Sequence, residues 1–275
     1  MIFSIIGGDE RMVYLRDMLK SAGHTVRMCG FEKHAGHIPC VSLGDAVFSA
    51  NCIVLPVPTS KDGKTVFAPL CESDILLKDI VSAADRKTVF FTAGTRIGAA
   101  TEYDYLAREE FSMLNALPTA EGAIKCAIEN TKHTLWGSRC LVIGFGRIGK
   151  ILCKNLRSFG ATVAATYRRA ETKALIDAEC YECIDSNSLS DTLPSYDIIF
   201  NTVPSIMLGD YELSKVKEDA LIIELASAPF GVSATAAEKY GIKLITAGGL
   251  PAKTAPVTAA KIIFMTINNI LREHF

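Results

Sequence analysis

The chain has 275 residues, with 29 Lys and Arg against 30 Asp and Glu, a formal charge of −1. Hydrophobic residues make up 49% and charged residues 21%, enough apolar matter to bury a sizeable core, so a disordered chain is excluded. No block of Lys or Arg is present to neutralise phosphates. Nucleic acid and anionic lipid are therefore excluded as the main partners, and a small molecule is favoured.

The first residues, MIFSIIGGDERM, carry a short apolar stretch that meets Gly7, Gly8, Asp9 and Glu10 with no basic segment before it. It does not read as a secretory signal. No uninterrupted apolar run approaches the roughly 18 to 20 residues that cross a bilayer, so the expectation is a cytoplasmic protein with no membrane partner. Nine cysteines, odd in number and scattered, fit reduced thiols acting as small hydrophobes. Cys180 and Cys183 form one C-x-x-C, but neither a second pair nor the strand-to-helix setting of a redox motif accompanies it, and no metal site is expected.

Short β-branched runs alternate with helical patterns along the chain, the signature of parallel sheets covered by helices. In the first half, strands are predicted at 3–6, 25–29, 52–56 and 88–92, with helices at 10–21 and 73–83. A further helix is predicted over 120–133, opened by Pro118 and capped by the Thr119 hydroxyl. Strands at 140–143, 162–166, 198–201, 221–224 and 243–245, with a helix at 148–158, make a second doubly wound unit. Over 258–272 the apolar positions Ile262, Ile263, Thr266, Ile267, Ile270 and Leu271 repeat at helical spacing, predicting one buried face.

The fold class expected is α/β: two doubly wound parallel-sheet domains, the second a Rossmann dinucleotide-binding domain, with a C-terminal helix returning to the first. The boundaries read as 1–118 for a substrate and catalytic domain, 119–135 for an interdomain helix, 136–253 for the nucleotide domain and 254–275 for the returning helix.

The sharpest chemical signal is the strand Cys140 to Ile143 running into Gly144-Phe145-Gly146-Arg147-Ile148-Gly149 and then into a helical pattern. Gly144 permits the tight turn, Gly146 lets the backbone approach a pyrophosphate, and Gly149 allows helix and strand to pack closely, while the helix N-terminus offers N–H groups to phosphate. Where an NAD site usually carries an acid for the ribose hydroxyls, this chain reads Tyr167-Arg168-Arg169. A guanidinium fork there suits a 2′-phosphate, so NADP is the expected cofactor.

Two further strand ends, Thr202-Val203-Pro204 and Ala226-Ser227, fall where open α/β sheets bind ligands. Lys253 lies in a small-residue stretch and is expected to face an acidic substrate. In the first half, Thr59, Ser60, Lys61 and Arg96 supply hydroxyls and cations at strand ends that can hold carboxylates. Thr119 and Glu121 open the predicted bridging helix, where a cleft between domains would lie. Glu121 is the candidate proton acceptor there, and Ser60 and Lys253 are the other candidate catalytic groups. The five histidines, at 24, 34, 37, 133 and 274, leave 137–273 without an imidazole, which weakens a 2-hydroxyacid dehydrogenase reading because that chemistry needs a general acid/base for the alcohol proton.

Taken together, Ile6-Gly-Gly-Asp9, Pro56-Val-Pro58 with Lys61-Asp62-Gly63, Pro118-Thr119-Ala-Glu121-Gly122, Gly144 to Gly149, Asn201-Thr-Val-Pro204 and Gly249-Leu-Pro251 through Pro256 resemble the A-type component of dipicolinate synthase over almost the entire chain. In the final loop this chain has Ala252, Val257 and Ala260 where the family is richer in glycine and lysine. The resemblance implies NADP-dependent oxidation of dihydrodipicolinate, from the lysine pathway, to dipicolinate during sporulation. It also implies a small dicarboxylate substrate and a flavoprotein-like partner, the B-type component of dipicolinate synthase. Two alternatives stay open: a 2-hydroxyacid or amino-acid dehydrogenase of the same architecture, and a non-catalytic NADP-binding regulatory protein. The possibility of a homo-oligomer is also left open.

Overall fold

A computed structural model describes residues 1–275. The elements run in chain order as β1 (Ile2–Ile6), α1 (Glu10–Ser21), β2 (Thr25–Cys29), α2 (Leu43–Val47), β3 (Cys52–Val54), α3 (Leu77–Ala83), β4 (Val89–Thr92), β5 (Thr101–Asp104) and α4 (Glu109–Asn130). They continue as β6 (Arg139–Ile143), α5 (Arg147–Ser158), β7 (Thr162–Tyr167), α6 (Ala170–Ala178), β8 (Glu182–Asp185), α7 (Leu189–Thr192), β9 (Ile198–Asn201) and α8 (Asp210–Leu213). The last are β10 (Leu221–Glu224), α9 (Ala234–Lys239), β11 (Lys243–Thr246), α10 (Leu250–Thr254) and α11 (Pro256–His274). No helix is long and apolar enough to cross a membrane.

The chain divides into two compact units, Met1–Asn115 with Ala255–Phe275, and Ala116–Thr254. The segment 119–135, expected to stand between domains, is therefore part of the second unit. The first unit holds a five-stranded sheet ordered β2-β1-β3-β4-β5, and the second a six-stranded sheet ordered β11-β10-β9-β6-β7-β8. Every pairing is parallel, which brings all strand carboxyl ends of a sheet to one edge. Central strands are buried on both faces, as parallel sheets require, and so read as unbroken apolar runs such as Leu141-Val-Ile143 and Ile198-Ile-Phe200.

In the first unit, α1 begins where the Asp9 carboxylate accepts the Arg11 N–H. Its apolar residues Met12, Leu15 and Leu19 join Phe3, Ile5 and Phe91 in one core. The returning helix α11 packs along α1 and inserts Ile262, Ile263, Ile267 and Ile270 into that same core. Pro256 opens α11 in the first turn, where its missing N–H has no helical acceptor to lose.

The sequence pattern mislaid some elements. The helix expected to open at Thr119 instead starts ten residues earlier, at Glu109, and runs through Pro118. An interior proline leaves the Leu114 carbonyl without its helical donor and costs about 3 kcal/mol in an isolated helix. Burial offsets that: Phe111 enters the first unit's core, while Ala120, Ala123, Ile124 and Ala127 enter the second's. Small side chains on this face let α4 approach α10 so closely that a Cβ on Gly122 would lie 2.9 Å from Leu250 Cβ and Thr254 Oγ1. Strands β5 and β8 end their sheets and are polar and half-buried, so neither shows an apolar run. Helix α3 begins at Leu77 and not at Ser73.

Because Ile267 is fully buried in the α11 seam, Ile267→Ala should lower unfolding free energy by about 2–5 kcal/mol in a denaturant titration.

Candidate functional site

The turn after β6 is built by three glycines, two of them held to glycine by the fold and the third left open. Gly144 has φ +94°, and a Cβ there would lie 2.6 Å from Thr202 Oγ1 and 2.7 Å from Val203 Cγ2. A Cβ on Gly149 would lie 2.1 Å from the Gly144 carbonyl oxygen, because α5 rests directly on the turn. Around Gly146 no protein atom lies within 4 Å of the added carbon, and its φ of −85° suits any residue. The fold itself therefore demands Gly144 and Gly149 but makes no demand at 146, where the space stands open.

Neighbouring strand ends hold this turn in place. Gly144 N–H donates to Thr166 Oγ1 at 2.9 Å, and Thr202 Oγ1 donates to the Ile143 carbonyl at 2.9 Å. Phe145 turns its ring inward, 7% exposed and edge-on to Tyr181, so only its backbone is available to a ligand. Gly146 opens α5 with no side-chain cap, and Arg147 and Ile148 form the first helical turn.

A cleft of about 460 Å³ opens over these strand ends, lined by the glycine turn, Thr166 to Arg169, and Thr202 to Ser205. Arg168 and Arg169 follow β7, both exposed, and neither guanidinium has a hydrogen-bond or ion-pair partner. The first carboxylate after them, Glu171, sits in the first turn of α6. Two unpaired cations, a helix N-terminus without a side-chain cap and an open position at Gly146 make a surface suited to the phosphates of a dinucleotide.

Next to the cleft lies a pair that the sequence pattern placed at strand ends but did not name as site residues, Asn201 and Glu224. They end adjacent strands in register, and both are buried, Glu224 at 2% exposure. The Asn201 amide donates to both Glu224 oxygens, at 2.8 and 3.0 Å. Ala226, Gly231 and Val232 donate their backbone N–H groups to the same carboxylate at 2.8, 2.8 and 2.9 Å. Asn201 also brackets Val203, accepting its N–H and donating to its carbonyl. This network sets both loops flagged as cofactor contacts, Thr202-Val203-Pro204 and Ala226-Ser227. A readable signal was there: LIIE and IIFN each end a wholly apolar strand in a polar residue.

In the first unit the strand-end residues divide. Thr59 is fully buried, accepting the Ala93 N–H at 2.7 Å and donating to the Pro56 carbonyl, so its hydroxyl joins two loops and is not offered to a substrate. Ser60, expected to be catalytic, is held within its own turn, donating to Asp62 and accepting the Gly63 N–H at 2.9 Å. Hydrogen bonds from the Thr65 and Lys64 N–H groups, and from the Thr65 and Ser60 hydroxyls, hold the Asp62 carboxyl below the usual carboxylate range. Both hydroxyls are thus turn residues, because loop N–H and carbonyl groups must find partners somewhere.

Lys61 stays exposed, its ammonium 4.5 Å from the Phe67 ring centroid. Arg96 is exposed at a polar hollow of about 320 Å³ beside Thr92, Glu102 and Asp104. Those two carboxylates are already engaged by N–H groups of their own loops, among them Gly94, Ile97 and Leu106. Unmarked by any motif, the Arg11 guanidinium reaches both oxygens of Asp9 and the Val57 carbonyl, tying the first strand-end loop to the third.

The remaining candidates move away from their expected places. Thr119 lies ten residues into α4 and so is not its cap, while Glu121, well past the first turn, is exposed on a groove shared with Asn155 and Phe159 of the far end of α5. That groove has no lining residue in common with the nucleotide cleft, so Glu121 loses its role as proton acceptor. Lys253 belongs to the short helix α10, not to a loop, and is exposed outside the cleft lining. The C-x-x-C does not pair: Cys180 is exposed at φ +56°, and the Cys183 thiol, pushed up to about 11 by burial and by Asp177, donates to that carboxylate.

Residues 2–101 match the family described as the N-terminal domain of the dipicolinate synthase A-type component, and residues 118–236 match the NAD-binding domain of D-isomer specific 2-hydroxyacid dehydrogenases. The chain is 28% identical to the A-type component of dipicolinate synthase from Bacillus subtilis (strain 168), covering 98% of this chain and 95% of that one. It is similar to that component from end to end. The crystal structure of the corresponding protein from Bacillus halodurans superposes with a TM-score of 0.89 at 26% identity, covering 98% of this chain and 97% of the other. The crystal structure from Bacillus subtilis superposes at 0.88 with 27% identity, covering 99% and 96%. As in these dipicolinate synthase components, two parallel-sheet α/β domains make up the chain, the second an NAD(P)-binding domain of the dehydrogenase type.

Gly149 and Gly146 should separate by substitution. Gly149→Ala should lose about 3 kcal/mol of stability through overpacking, whereas Gly146→Ala should keep its thermal midpoint and lose dinucleotide affinity by tenfold or more, read by calorimetric titration.

Proposed function

We propose that this chain is the NADP-dependent oxidoreductase component of a dipicolinate synthase, oxidising dihydrodipicolinate to dipicolinate in the cytoplasm of sporulating cells. The observation that carries the reading is similarity to the A-type component of dipicolinate synthase over 98% of the chain. NADP over NAD rests on Arg168 and Arg169, unpaired at the end of β7 where no carboxylate stands to hold a ribose hydroxyl.

NADP supplies a hydride acceptor when bound. The residues of this chain do the positioning: Gly144 to Gly149 receive the pyrophosphate with N–H groups, Tyr167, Arg168 and Arg169 hold the adenosine end, and Thr202 to Pro204 with Ala226 and Ser227 form the other end of the bed. Lys61 and Arg96, exposed cations of the first unit, are the groups available to hold the two carboxylates of the substrate. Loss of hydride and a proton from the dihydropyridine leaves an aromatic ring, and that gain lowers the barrier to losing the proton. Water can take it, so the chemistry does not depend on Glu121, and most of the catalytic work is orientation. A flavoprotein-like partner completes the enzyme.

The deciding experiment follows absorbance at the nicotinamide and pyridine bands with the purified chain, NADP and freshly generated dihydrodipicolinate, with and without the flavoprotein-like partner. Stoichiometric NADPH and dipicolinate above the uncatalysed rate are expected. NADP binding without turnover, with the partner present, would instead support a regulatory role.

Replacing Arg168 and Arg169 by Ala should weaken NADP binding at least tenfold while changing NAD binding little; equal losses would show that they do not read the 2′-phosphate. Arg96→Ala should raise KM for the diacid severalfold and leave NADP affinity unchanged in the same titration.

A further inference from the structure

We infer that Glu224 is a positioning residue whose buried negative charge makes the second unit bind the oxidised dinucleotide in preference to the reduced one. The inference rests on the dinucleotide reading above and deepens it.

The carboxylate is 2% exposed, and its five hydrogen bonds come from the Asn201 amide and the N–H groups of Ala226, Gly231 and Val232. Every one of these partners donates, and none carries a charge. Five donors converge on its two oxygens and no acceptor stands among them, the surroundings a carboxylate is suited to. Neutral donors stabilise that anion locally but leave its net charge of −1 in place, inside protein where solvent screens it weakly.

Its place in the sheet says what feels that charge. The strand order reverses between β6 and β9, and the glycine turn opens at that point. A dinucleotide laid across such a point puts one nucleotide over the β7 side and the other over the β9 and β10 ends. Arg168 and Arg169 claim the β7 side for the 2′-phosphate end. The nicotinamide end then falls to the loops after β9 and β10, which are the loops that Glu224 fastens. Gly231 is part of the same fastening: a Cβ there would lie 2.3 Å from Asn201 Nδ2 and 2.4 Å from the Val203 carbonyl oxygen.

An oxidised nicotinamide ring is a cation and a reduced one is neutral. A fixed anion beneath the ring's loops stabilises the first and does nothing of the kind for the second. The consequence for the proposed direction of reaction is direct: the hydride acceptor is captured, and the reduced product leaves more readily.

The test measures dissociation constants of the full-length chain for NADP⁺ and NADPH, and for NAD⁺ and NADH, by calorimetry and nicotinamide fluorescence. In the unmodified chain the oxidised form of the preferred pair should bind severalfold more tightly; equal or reversed affinities would overturn the inference, whatever becomes of any variant. Glu224→Gln, which keeps size and removes charge, should narrow the reduced-to-oxidised ratio by about threefold or more, the scale expected of one charge acting through protein. Glu224→Asp should retain the ratio of the unmodified chain. Losses of equal factor for both forms in Glu224→Gln would mean a merely structural anchor and overturn the inference. A preference for NAD would refute the reading of Arg168 and Arg169 while the ratio still judged Glu224. Failure to bind either dinucleotide would end the cofactor reading, and this inference with it.

Discussion

The close approach of α5 to the β6 turn is the constraint from which the nucleotide half of the molecule follows. With the Gly144 carbonyl 2.1 Å from where a Cβ of residue 149 would stand, the helix can sit there only as glycine. That contact aims the N-terminus of α5 across the carboxyl edge of the sheet. Thr166 and Thr202, from the strands on either side, then hold the turn by its backbone. A single missing methyl group thus fixes where N–H groups and helix dipole point, and the cleft takes its place from them.

At the carboxyl edge of each sheet the polar side chains serve mostly to finish backbone hydrogen bonding. Parallel strands end abruptly, and the loops that leave them carry N–H and carbonyl groups that a crowded edge shields from water. Thr59, Ser60 with Asp62, Glu102, Asp104, and Asn201 with Glu224 each answer that need. Among the side chains that this demand leaves without a hydrogen bond are four exposed cations, Lys61, Arg96, Arg168 and Arg169. Their freedom, in a chain of nearly balanced charge, points to anionic ligands more strongly than the motifs do. Glu224 combines both roles, since it organises two loops and leaves a net charge among them.

Much of the fold was legible because parallel sheets advertise themselves. Strands such as Leu141-Val-Ile143 are buried on both faces and show as continuous β-branched runs, and the α11 seam shows its Ile262, Ile263, Ile267 and Ile270 at helical spacing. The polar terminal strands β5 and β8 hid, because a half-buried strand at the end of a sheet needs no apolar run. The start of α4 was missed for the opposite reason: Pro118 is a strong local signal, and tertiary burial of Phe111 and the alanines overrode it. Of the site, the glycine turn and the two arginines stood out in the chain, whereas Thr59 and Ser60 look like ligand contacts until their hydroxyls are seen engaged.

The amino-acid sequence by itself determined the α/β class, the dinucleotide turn and the cations that face it, since each depends on spacing along the chain. Tertiary structure alone decided which polar groups remain free to act. Glu121 went to a groove at the far end of α5, Lys253 to a short helix outside the cleft, and Glu224 to a buried ring of donors. A side chain's availability depends on what meets it from distant segments, and the residues that meet Glu224 come from two strand ends and a loop. Spacing along one strand cannot report that meeting.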